Sequence, residues 1–207
     1  MSEEFTNAQE TLEETVQLQE EVGKKSKNKE SGNGIYDFVS ILATAVICVA
    51  IAFTFLFRTV GVVGGSMKPT LQNGDRIILS AFIGKPEYGD IVVTCQPSKS
   101  EIIEDILVKR VIATQGQTVD IDFATGTVFV DDVALDEPYT AEPTWDREDF
   151  YEPVTVPEGY VFVMGDNRNN STDSRDKRVG LIREEYILGK ALFRIQPELD
   201  FGINDYE

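Results

Sequence analysis

Ile106-Leu107-Val108-Lys109-Arg110-Val111-Ile112-Ala113 decides how this 207-residue chain is read. As a strand it carries Leu107, Lys109, Val111 and Ala113 on one face and Ile106, Val108, Arg110 and Ile112 on the other. Both faces are apolar apart from one adjacent pair of bases, which predicts a strand buried on both sides. Lys109 is therefore not on an ordinary solvated face. Burial penalises the charged form of a lysine, and that penalty is what makes such a residue chemically interesting.

Upstream, Gly64-Gly65-Ser66-Met67-Lys68-Pro69-Thr70-Leu71 presents a serine at a glycine turn, with a proline three residues on. Serines in such turns are common, so the octapeptide alone implies only a bend. The chain, however, contains no histidine. If Ser66 is a nucleophile, its base cannot be imidazole, and a desolvated lysine is the usual substitute. A free lysine, with a pKa of about 10.4, is almost wholly charged at pH 7, so the base must be buried to serve.

Composition limits the alternatives. A hydrophobic content of 42% supports a core, and the formal charge of −17 argues against a nucleic-acid partner. Cys48 and Cys95 provide no disulfide framework, and without histidine a zinc site is not expected. Residues 1–35 are polar, rich in glutamate and then in lysine (Lys24, Lys25, Lys27, Lys29), and read as a disordered tail. Phe38 to Phe57 is uncharged; as a helix its 20 residues would span about 30 Å, the thickness of a bilayer's hydrocarbon core. A cleavable signal peptide has a shorter apolar region nearer the start and a small-residue site after it, neither of which fits here. The expectation is a retained transmembrane helix over 36–57, with the lysines placing the N-terminus in the cytoplasm.

The remainder, 58–207, carries 15 basic and 27 acidic residues, a net charge of −12. It reads as mainly β. Arg76–Leu79, Ile91–Thr94, Tyr160–Met164 and Ala191–Ile195 are expected strands, and Gln117–Asp122 with Thr127–Val130 an expected hairpin. Asp131–Glu152, acidic and holding the only tryptophan, is expected to be an exposed excursion.

Gly165-Asp166-Asn167-Arg168-Asn169-Asn170-Ser171-Thr172-Asp173-Ser174-Arg175 is too charged to be a simple linker. A calcium loop fails on Ser171 in place of the glycine and Lys177 in place of the bidentate glutamate. An aspartic protease fails for want of two Asp-Thr/Ser-Gly turns.

Gly-Ser-Met-x-Pro-Thr-Leu, a strand ending in Val-Lys-Arg, and Gly-Asp-Asn-Arg-x-Asn-Ser-x-Asp-Ser-Arg, in that order after one apolar span, resemble bacterial type I signal peptidase. Gly89-Asp90-Ile91-Val92-Val93 resembles a fourth signature, and the likeness runs from about 38 to 196. The resemblance implies an antiparallel-sheet, barrel-like ectodomain and a serine endopeptidase that removes signal peptides from exported preproteins. It implies Ser66 as nucleophile, Lys109 as general base and Ser171 as the serine that holds the lysine. Asp166 would partner Arg110, Asp173 with Arg175 would stiffen the final loop, and Met67 would lie beside the substrate pocket. It implies no cofactor and no metal, with membrane lipid and the protein export machinery as partners.

One span with a short tail is similar to the Gram-positive form of the family. Two positions depart from the pattern: Gly64 stands where some members carry a serine hydroxyl for the oxyanion hole, and Leu107 where an aromatic residue is frequent. The rival readings are a self-cleaving serine–lysine regulator, a specialised relative in pilus assembly, and an anchored binding domain without activity.

Overall fold

A computed structural model describes residues 34–204, apart from 52, 55, 82–83 and 96–105. The tail expected over 1–35 lies outside these residues up to 33. The chain divides into two units, Met1–Phe53 and Thr54–Glu207.

In the first unit, helix α1 (Gly34–Ile51) is long and apolar enough to cross a membrane. Bulky side chains such as Ile35, Leu42 and Ile51 are exposed along its length. A helix with apolar side chains exposed on all its faces suits hydrocarbon better than water. Thr44 satisfies its own hydroxyl, which donates to the Ser40 carbonyl at 2.8 Å.

The second unit is mainly β and antiparallel. Its strands are β1 (Phe57–Gly61), β2 (Arg76–Ser80), β3 (Ile91–Cys95), β4 (Ile106–Ala113), β5 (Thr118–Asp122), β6 (Thr127–Val130), β7 (Val133–Ala134), β8 (Val154–Thr155), β9 (Tyr160–Met164), β10 (Ile182–Arg183) and β11 (Ile187–Gln196). Seven form one sheet in the order β1-β2-β11-β3-β4-β9-β10; the other four form a second in the order β7-β6-β5-β8. Strands β4 and β9 occupy the expected residues. β11 is longer than expected, and Phe57 belongs to β1, paired with Ser80, rather than to the helix.

Alternation sorts the side chains between cores, as the two-residue period of a strand requires. From β3, Ile91 and Val93 join a cluster with Met67, Leu71 and Leu79, whereas Val92 joins Val111, Val161 and Val163. From β9, Phe162 and Met164 turn towards the second sheet, where Ile112, Val119, Ile121 and Phe150 complete a third cluster. β4 touches all three. It is buried from Lys109 to Ala113, while Ile106 is exposed and Leu107 and Val108 are half-buried, so the burial expected on both faces holds only for its last five residues.

The expectation of an exposed excursion over 131–152 is corrected. Trp145 is 53% exposed, but Tyr139, Thr144 and Phe150 are buried. The segment packs because three buried arginines need partners from it. Arg168 donates to Glu137 and Thr144, Arg175 to the Asp146 carbonyl, and Tyr139 lies 4.2 Å from the Arg110 guanidinium.

Candidate active site

The Ser66 turn is set by glycines and by partners distant in sequence. Gly64 has a φ of 91°, which a side chain would resist, and its N–H donates to Asn73 Oδ1 at 3.0 Å. Within the turn, the Lys68 N–H donates to the Gly65 carbonyl and the Leu71 N–H to the Met67 carbonyl. Met67 and Leu71 point into the core, which leaves the half-buried Ser66 facing outwards.

The 165–175 loop grips this turn. Asn167 donates its backbone N–H to the Ser66 carbonyl and its side-chain amide to the Gly65 carbonyl, both at 2.9 Å. Gly165 passes so close that a Cβ there would lie 2.5 Å from the Ser66 carbonyl oxygen and 2.2 Å from Ser171 Oγ. Only glycine fits.

Lys109 enters from β4. Its Nζ lies 2.8 Å from Ser66 Oγ and 3.2 Å from the Val108 carbonyl. The residue is 3% exposed. Burial pulls its pKa below the ordinary lysine value, assisted by the Arg175 charge; Asp173, Asp166 and Glu148 oppose that shift without cancelling it.

Arg110, next on β4, is fully buried and donates Nε and Nη2 to the two Asp166 oxygens at 2.8 and 2.6 Å, and Nη1 to the Gly89 carbonyl at 2.7 Å. Asp166 Oδ2 also accepts from the Thr70 hydroxyl at 2.5 Å. One carboxylate thus ties β4 to the end of the serine turn.

Asp173 accepts Nε and Nη2 of Arg175, the Gly165 N–H and the Ser171 hydroxyl, each within 3.0 Å. Burial alone would raise its pKa, but the Arg175 charge and these hydrogen bonds hold it below the usual carboxylate range. Ser171 Oγ is therefore directed at Asp173 in this structure, with Lys109 Nζ bonded to Ser66 and Val108 instead. The expected residues form one cluster, in which Ser171 meets the lysine's electrostatic neighbour rather than the lysine.

Sequence reasoning missed Asn167, Thr70 and the Arg168–Glu137 pair. The first two stand inside the motifs quoted above, where only three-dimensional contact distinguishes them from their neighbours. Glu137, 31 residues before its partner, carries no local signal.

A groove of about 540 Å³ opens at the serine, with Val60–Met67 on one wall and Ile106–Lys109 on the other. Gly64 and Leu107, the two departures from the family pattern, both line it, as does Met67. Among the described residues no acceptor engages the Ser66 N–H. No cluster of three or more metal-ligating side chains occurs among the described residues.

A serine hydroxyl beside a desolvated amine, in a groove of mixed polar and apolar lining, is equipped for acyl transfer to water. The chain belongs to the signal peptidase family, peptidase S26, whose profile matches residues 35–196. It is similar to thylakoidal processing peptidase 1, chloroplastic, of Arabidopsis thaliana, 36% identical over 191 residues that cover 84% of this chain and 54% of that protein. It is similar to probable signal peptidase I-1 of Synechocystis sp., 35% identical over 81% of this chain and 86% of the other. Signal peptidase I of Bacillus licheniformis is 34% identical over 84% of this chain and 94% of its own. The chain therefore spans about half the length of the plant relative and most of the two bacterial ones.

Proposed function

We propose that the chain is a membrane-anchored serine endopeptidase that removes signal peptides from exported preproteins by a Ser66–Lys109 dyad. The observation that carries this reading is the 2.8 Å separation of Lys109 Nζ and Ser66 Oγ, combined with burial that lowers the lysine pKa. In its neutral form the amine accepts the hydroxyl proton as Ser66 attacks the scissile carbonyl carbon. The tetrahedral oxyanion takes a hydrogen bond from the Ser66 N–H. Collapse breaks the peptide C–N bond, and the Lys109 ammonium returns the proton to the leaving amine. Lys109 then activates the water that hydrolyses the acyl-enzyme. Ser171, Asp173 and Arg175 hold the electrostatic surroundings of the amine, while Asp166 and Arg110 hold the strand against the serine turn.

The substrate reading follows from the family and from the groove. An extended segment between the 60–65 and 106–108 walls meets apolar surface, and small residues, chiefly alanine, are expected at the first and third positions before the cut. The anchor reading assigns the residues before the helix to a cytoplasmic tail, the apolar helix that begins at Gly34 to the span, and the β unit from Phe57 onwards to an extracytoplasmic peptidase domain, in the cell membrane and in contact with lipid and the export machinery. The full chain in detergent micelles, incubated with a preprotein, should release a mature product whose N-terminus maps to such a site. An intact preprotein, or cuts scattered along it, would contradict the assignment. Protease added outside intact cells should digest the region after Arg58 and spare the tail; the reverse pattern would contradict the orientation.

A further inference from the structure

The 165–175 loop commits nearly all of its polar side chains to the protein itself. Beyond the contacts already described, Asn169 accepts from the Trp145 and Asp146 N–H groups and donates to Glu142, and Ser174 Oγ accepts from the Val163 N–H. Asn170 and Thr172 are the exceptions. Among the described residues neither side chain has a hydrogen-bond partner. Both line the groove at the serine, Asn170 exposed and Thr172 half-buried. Burial alternates along this stretch, so that Ser171 and Asp173 turn into the protein while Asn170 and Thr172 turn to the groove.

Their place in the groove follows from the other lining. One wall, Val60–Met67, reaches Ser66 near its end, and the other, Ile106–Lys109, ends at Lys109. A segment whose residues before the cut lie along 60–65 and 106–108 must leave past that pair. The lining that remains is Asn170 and Thr172. They flank Ser171, and the loop there lies directly against the serine turn: a Cβ on Gly165 would touch both Ser171 Oγ and the Ser66 carbonyl oxygen.

We propose that Asn170 and Thr172 are specificity-determining residues for the leaving side of the reaction: they receive the first residues after the cut and select hydrogen-bonding side chains there over bulky apolar ones. The proposal rests on the Ser66–Lys109 peptidase reading and extends it to the other half of the substrate. An amide offers two donors and an acceptor, and a hydroxyl one donor and acceptor lone pairs. A polar side chain after the cut gives these groups partners. An apolar one displaces their water without replacing its hydrogen bonds.

The full chain in detergent micelles is given peptides with alanine at the first and third positions before the cut, and with either serine and glutamine or two leucines after it. Wild-type kcat/KM should favour the polar peptide by about threefold to tenfold. Asn170→Leu combined with Thr172→Val keeps size and removes the hydrogen-bonding groups. That ratio should then fall close to one, while the preference for alanine over a bulkier residue before the cut keeps its wild-type value. Asn170→Arg should instead raise the preference for glutamate over glutamine after the cut by about threefold, and leave the same comparison before the cut unmoved. A wild-type chain indifferent to the residues after the cut, or a double variant with the wild-type ratio, overturns the proposal. So does a change spread equally over both sides of the cut, which is the behaviour of a merely structural loop. Failure of the dyad would look different: Lys109→Arg would then cut the series, with the leaving-side ratios still readable.

Discussion

Lys109 Nζ and Ser66 Oγ stand 2.8 Å apart across 43 residues of sequence. Neither side chain is oriented by the other alone. The lysine comes from a strand whose next residue, Arg110, is locked to Asp166, and the serine from a turn whose carbonyls are held by Asn167. Asp166 and Asn167 are sequence neighbours. A single loop therefore fixes the distance between Ser66 and Lys109.

That loop can be tested through stability. Asp166→Asn leaves the fully buried Arg110 guanidinium without its carboxylate. Breaking a buried pair from one side costs about 3–5 kcal/mol. At this chain length the Tm should fall by about 10 °C. Thermal unfolding of the full chain in detergent checks this, and an unchanged Tm would mean that the pair contributes little.

Gly165→Ala tests the placement of the serine. The added methyl would lie 2.5 Å from the Ser66 carbonyl oxygen and 2.2 Å from Ser171 Oγ, and one of them must move. A displacement of about 1 Å at reacting groups costs about a hundredfold in rate. The drop should appear in kcat, and a variant with wild-type turnover would contradict the close packing described above.

The third test concerns Ser171, whose hydroxyl donates to Asp173 at 2.9 Å. Ser171→Ala removes one of the donors that hold the Asp173 charge beside Lys109. Turnover should fall by about tenfold or more, since a charge-assisted hydrogen bond contributes about 1.5–3 kcal/mol, with kcat affected more than KM. Wild-type kinetics would make the serine dispensable to the lysine's surroundings.

How much of this was legible depended on whether the signal was local. β9 was readable to the residue because its apolar run ends at a polar loop, and β4 because its single pair of bases is flanked by apolar residues on both sides. β1 was not, since Phe57 closes the long apolar run and reads as the end of a helix until its pairing with Ser80 is seen. In the 165–175 run the residue types announced a site, but not who bonds whom. Thr70 sharing Asp166 with Arg110, and Ser171 turning to Asp173, are decided by packing. The 131–152 segment looked exposed because its anchors, Glu137, Tyr139 and Thr144, are isolated in sequence. Their partners, Arg110 and Arg168, lie some thirty residues away or less on either side. Lys109 was the exception: a lysine among Leu, Val and Ile advertises its burial directly.

The pH dependence of kcat/KM for the full chain, measured between pH 5 and 10 on a short signal-peptide substrate, tests the central claim most directly. Burial lowers the Lys109 pKa from its ordinary value, and the protonated amine cannot accept the Ser66 proton. Activity should therefore rise with pH along a limb set by the lysine and fall by about tenfold per pH unit on its acid side. Lys109→Arg, which keeps the charge but does not release its proton in this range, should be inactive throughout. A wild-type profile that is flat down to pH 5, or an arginine variant that retains turnover, would mean that another group activates Ser66.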